Sequence, residues 1–233
     1  MQENLLIVEE LMLLLLDDDG ASIAGAGTLH YTLSGAVLVE LALLGRVDID
    51  ETSGGALSRL NGPIVRPVGE EPIPDPVLRA AFDVVAEREQ RVQPLLLALS
   101  KNLLPTLLDR LENRGLIRKE RKRVLGIFRT TRWPAEDERH EEDLRGRIRA
   151  ALEDGEEPDT RTAAVIGLVY ASGAMPALRP ALPWNGTTVT RAKQIMEGDW
   201  GAVAVNSAVT RTAAAIAASS AAVSVGVITS TSG

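Results

Sequence analysis

Residues 32–44 read TLSGAVLVELALL, apolar on every side of a helix, and Gly45 follows where a helix C′ residue would stand. A helix with no polar face has to be surrounded, so this segment predicts the centre of the fold, with the rest of the chain wrapped around it. Its one interior charge, Glu40, is expected to be a buried partner for an arginine rather than a catalytic acid, because a lone carboxylate among apolar neighbours needs a counter-charge.

The other elements agree with a helical wrapping. Leucine, alanine and valine carry the apolar content and only 3% of the 233 residues are aromatic, a balance that fills helices more readily than sheets. A leucine-rich segment at 5–16 predicts a helix closed by the turn DDDG at 17–20, and residues 21–27 a loop. Residues 46–50 read as a short strand and the proline- and glycine-rich stretch up to Asp75 as loop. Asp75-Pro76 offers an N-cap and a first-turn proline, with Val77, Leu78, Ala81, Phe82 and Val85 on one face of the helix that follows. Residues 95–114 have helical periodicity with a break near Pro105, ended by Gly115. Next come two expected strands, 116–118 and 124–128, around a charged turn. Trp133-Pro134 predicts a helix start, with acidic residues in its first turn and arginines at its end. Helices are expected at 160–172, 188–197 and 202–222, and a disordered tail at 229–233. The fold class expected is therefore mainly α: a single helical domain, residues 1–228, around a central apolar helix, with a short exposed β-hairpin.

Much chemistry is excluded at once. The absence of cysteine removes disulfides, thiol nucleophiles and cysteine-based metal sites, and two histidines are too few for a histidine-rich one. GAGTLH at 25–30 has no third glycine and no strand leading into it, so it reads as a loop. No phosphate loop, nucleophile elbow or HExxH pair is present. The paired carboxylates lie in polar runs that keep them ionised, and His140 lies in a solvated one. A non-enzymatic protein with no cofactor and no metal is expected. The opening MQENLLIVEELMLLLL has no basic leader and is interrupted by Glu9 and Glu10, so neither a signal peptide nor a membrane span is expected, and a cytoplasmic location is.

Charge supplies the positive signal. The net charge is −7, yet residues 110–132 hold nine basic residues against two acidic ones. That window is +7 and the remainder of the chain −14. Arg110 and Arg114 share a helix face by their spacing of four. Arg121, Lys122 and Arg123 stand beside the apolar Val124, Leu125, Ile127 and Phe128. Cations next to exposed apolar groups suit an anionic membrane surface, where each charge contributes about 1 kcal/mol. The alternative is that these cations pair with the excess acid of this chain or a neighbouring copy, and that the hairpin makes a protein interface without lipid. A winged-helix reading is disfavoured, since LPTLLDRLENR is apolar at too many positions to lie in a DNA groove; no nucleic-acid partner is expected.

Four segments in order, LMLLLLDDDG, TLSGAVLVELALLGRVDID, LLDRLENRGLIRKERKRVLGIFRTTRWP and RAKQIMEGDW, resemble the Golgi phosphoprotein 3 family. The arginine- and alanine-rich composition points to a bacterial, actinobacterial-type member. The resemblance implies a peripheral membrane adaptor that recognises phosphatidylinositol 4-phosphate, binds tails of membrane enzymes, and attaches to membranes and to itself through a hairpin, here at about 120–131. It implies membrane/oligomer roles for Arg121, Lys122, Arg123, Leu125, Ile127 and Phe128. The family's headgroup positions fall near Gly25 and on Ser34, Lys101 and Leu104, of which one is basic. With Arg110 and Arg114 they make up the expected anionic-headgroup site. A homo-oligomer and an anionic phospholipid surface are the expected partners.

Overall fold

The computed structural model describes residues 5–17, 19–50, 63–124 and 128–198, with the backbone alone at 122–124 and 128–129. In chain order the elements are α1 (Ile7–Leu15), α2 (Leu29–Leu43), β1 (Val47–Asp50), β2 (Ile64–Pro67), α3 (Pro76–Ala86), β3 (Gln90–Arg91), α4 (Val92–Leu99), α5 (Leu103–Asn113), β4 (Glu120–Val124), β5 (Phe128–Arg132), α6 (Arg139–Arg149), α7 (Thr160–Ala171) and α8 (Gly186–Glu197). Among the described residues no helix is long and apolar enough to cross a membrane.

The apolar helix is central, as its composition requires. α2 is buried at every residue except His30 and Leu43, and α1, α3, α4, α5, α7 and β1 pack around it. Gly45 ends it with φ +66°, a conformation that costs a glycine least. Glu40 is only 6% exposed and meets the guanidinium of Arg161, from α7, at 2.7 Å. Its other oxygen accepts the backbone N–H of Ile7 at 2.6 Å. The expected arginine pair is therefore present, and the same carboxylate caps the start of α1. Burial works against the charge of Arg161, and Glu40, with Glu10 and Asp159, more than offsets it, so its pKa stands above the ordinary value.

The proline-rich region before α3 is not all loop. β1 and β2 pair antiparallel, Val47 opposite Pro67, and β2 pairs with β3. Pro63 and Pro67 bracket β2, which disguises it as coil; proline is tolerated at strand ends and edges. Asp75 caps α3 as its sequence predicts, accepting from Val77 and Leu78 N–H. The break in 95–114 falls at residues 100–102, with Asn102 at φ 58°, which leaves Pro105 in the first turn of α5, where its missing N–H costs nothing.

Two expectations in the charged region need correction. The strands are not 116–118 and 124–128: the basic run is itself strand β4, whose last residue, Val124, is the register partner of Phe128, the first of β5. Ile117 instead bridges Ala135, and Arg118 N–H bonds the Pro134 carbonyl. These bonds hold 133–135 extended, so the next helix begins at Arg139 rather than at Trp133. Asp137 precedes it, binding the Arg139 backbone and guanidinium, and that guanidinium holds the Asp137 carboxyl down to about 2. α6 then widens into a π turn over Ala150–Asp154. The helix expected at 202–222 and the tail at 229–233 lie outside the described residues.

The hairpin base is tied to the turn after α1 by one close approach. Gly20 has φ +60°, its carbonyl accepts Trp133 N–H at 2.8 Å, and a Cβ there would lie 2.0 Å from the Trp133 carbonyl carbon. Gly20→Ala is expected to destabilise the fold by more than about 1 kcal/mol, because both the backbone conformation and the contact oppose a side chain. Thermal unfolding reads it; an unchanged melting temperature would mean the turn and the hairpin base separate at no cost.

Candidate functional site

The carboxylates of α1 organise the cationic end of α5. Glu9 is fully buried in a helix whose residues other than Glu9 and Glu10 are apolar, so its charge has to be satisfied internally. One oxygen accepts Arg110 Nε at 2.8 Å, the other lies 3.2 Å from Arg114 Nη1, and Leu6 N–H donates to it at 2.8 Å. Arg110 reaches on to Asp75 at 2.6 Å, so a single guanidinium joins α1, α5 and the cap of α3. Next to this cluster Glu10 meets Arg147 of α6 at 3.1 Å and Arg161 at 3.5 Å. The spacing of four in α5 does place Arg110 and Arg114 on one face; that face looks inward at α1.

The expected headgroup residues separate into two groups. Lys101, Arg110 and Arg114 all line one open cleft of about 970 Å³ beside α3, the α4–α5 corner and the start of α1. Its floor includes Leu6, Val37, Val77, Ala81, Val84 and Leu99. The ammonium of Lys101 is exposed and has no ion-pair partner among the described residues, whereas the two arginines are held by Glu9 and Asp75. Gly25 and Ser34 are not in its lining. Gly25 packs toward Ala174 in the loop before α2, and Ser34 is wholly buried with a hydroxyl oxygen that has no hydrogen-bond partner among the described residues. Leu104 borders a separate, smaller cavity of about 180 Å³ with His30, Leu33 and Ser100.

The hairpin carries the other charged group. Its register sets Glu120 opposite Arg132, Arg121 opposite Thr131, Lys122 opposite Thr130 and Arg123 opposite Arg129. Glu120 is the only acidic residue between 120 and 132, and it lies 2.8 Å from Arg118. Along β4 the register therefore sets basic positions opposite threonine positions or, at 123, an arginine position. Arg121 is exposed, and at the base Lys119 sits 4.6 Å from the centre of the Trp133 ring. Leu125 and Ile127 lie outside the described residues; Phe128 begins β5.

Comparison with protein-family models matches residues 7–212 to Golgi phosphoprotein 3 (GPP34). The chain belongs to the Golgi phosphoprotein 3 family. A search of curated proteins finds no match. Family membership agrees with the four segments read in order from the sequence, and the mainly helical fold agrees with the expectation drawn from α2. Sequence reading of this Golgi phosphoprotein 3 family member missed Glu9 and Asp75 as the partners of Arg110 and Arg114. A signal existed: two adjacent glutamates inside an apolar run cannot both be solvated, and the excess acid had to find the excess base.

Proposed function

We propose that this family member is a non-enzymatic, peripheral adaptor-type protein that attaches to an anionic phospholipid surface through the β4–β5 hairpin, with Lys101 as a second cationic contact. The observation that carries the reading is the hairpin register, which lines cations along β4 without carboxylates opposite, apart from the pair at the base. A surface of anionic headgroups attracts a strand of this composition, and the apolar residues in the sequence 124–128 suit its interface. Arg110 and Arg114 serve mainly to hold α5 against α1. The phosphatidylinositol 4-phosphate specificity that the family suggests needs a cluster of cations or a bidentate arginine, and Lys101 is the basic residue at the family's positions. The reading therefore favours general anionic recognition, on the cytoplasmic face of a membrane.

Vesicle co-sedimentation tests it. The protein should pellet with phosphatidylcholine vesicles containing phosphatidylserine at low salt, and stay in the supernatant with phosphatidylcholine alone. Bound protein should be released as ionic strength approaches about 1 M, where the screening length falls to about 3 Å. Failure to pellet with acidic vesicles at low salt overturns the reading.

A further inference from the structure

The cleft beside α3 has a composition that the hairpin does not explain. Its floor is apolar down to Val37 of the central helix, which is 1% exposed, and about 970 Å³ lies at the upper end of the size range of small-molecule sites. Two of its three cations are engaged by carboxylates: Arg110 by Glu9 and Asp75, Arg114 by Glu9. Lys101 stands at the mouth beside Asn102 and Thr106, where α5 begins without a side-chain cap and presents the positive end of its dipole. Asp109 also lines the cleft, but it lies two turns farther along α5, about 9 Å by helix rise from the first residue. An apolar trough with one uncommitted cation at one end fits a molecule with the same polarity.

We propose that this cleft binds a single aliphatic chain bearing an anionic head, with the chain along Val37, Val77, Ala81, Val84 and Leu99 and the carboxylate or phosphate at Lys101. The site is independent of the hairpin. Such a ligand is either a free single-chain amphiphile or one chain of a membrane phospholipid, and the chemistry recognised is the same.

Calorimetric titration of the full chain with sodium decanoate, below its micelle concentration, provides the test. One saturable site is expected, tightened about tenfold relative to octanoate, since each buried methylene contributes about three- to fourfold. Decanol should bind more weakly, decylammonium more weakly still, and inorganic phosphate not measurably. Lys101→Gln should weaken decanoate about tenfold and leave decanol unchanged. Ala80→Trp fills the cleft from an exposed position on α3; it should weaken every chain-bearing probe at least tenfold, with the melting temperature reporting that the fold is intact. Phosphatidylserine vesicles then separate the sources. Vesicle binding kept in Ala80→Trp assigns the site to a free amphiphile, and vesicle binding lost assigns it to a membrane lipid chain. No saturable uptake of decanoate, uptake unaffected by Ala80→Trp, or decylammonium as tight as decanoate overturns the proposal, whether or not the wild type pellets with vesicles.

Discussion

Replacing Arg121, Lys122 and Arg123 together by glutamate is expected to abolish co-sedimentation with acidic vesicles while leaving the fold in place. Each cation near an anionic surface contributes about 1 kcal/mol, so neutralising three would weaken binding by about two orders of magnitude, and reversal adds repulsion of similar size. The fold should tolerate the change because of where the residues stand. β4 pairs with β5, and the arm joins the body at its base through Ile117, Trp133 and Ala135. Position 123 lies opposite Arg129, where a glutamate replaces a like pair with an opposite one. Unfolding curves that superimpose, together with protein left in the supernatant, are the expected result. Sedimentation at the wild-type level would remove the hairpin from the membrane contact and leave its register without a function.

The same pairing explains why part of this molecule is legible in its sequence and part is not. Features set by local chemistry could be read directly: the all-round apolar α2, the Asp75 cap with its following proline, the glycine after α2, and the need of Glu40 for an arginine. Features set by partners distant in sequence were misplaced. β2 is four residues long and β3 two; only Ile64 and Val65 of β2 favour a strand, too short a run between Pro63 and Pro67 to stand out, and β3 exists because β2 lies alongside. The hairpin strands moved by several residues because ERKRV has no apolar alternation to mark it; cross-strand hydrogen bonds alone define it. Trp133-Pro134 has the composition of a helix start, yet bonds from residues 116–118 and Gly20 keep it extended. The cationic site shows the same limit. Spacing put Arg110 and Arg114 on one face but could not say that Glu9, a hundred residues away, occupies it.

That occupancy gives Glu9 a structural role, and Glu9→Ala is expected to lower stability by about 3 kcal/mol. Breaking a buried pair from one side costs about 3–5 kcal/mol because the partner is left uncompensated; the lower figure applies here, since Arg110 and Arg114 are 22% and 23% exposed and Arg110 keeps Asp75. The Leu6 N–H at the start of α1 loses its acceptor as well. For a domain of this size the loss corresponds to a fall in melting temperature of about 6–12 °C. Asp143→Asn is the control: it removes an exposed i,i+4 partner of Arg147 and should change stability by no more than about 0.5 kcal/mol. A Glu9→Ala melting temperature within two degrees or so of wild type would mean that the cluster contributes nothing net to folding. Vesicle binding by the same variant, measured well below its melting temperature, separates scaffold from headgroup contact. Removing Glu9 takes one negative charge from beside Arg110 and Arg114 at the edge of the cleft, so folded Glu9→Ala should bind acidic vesicles at least as tightly as wild type; weaker binding would mean that the arrangement of α1 against α5 is itself part of the membrane surface.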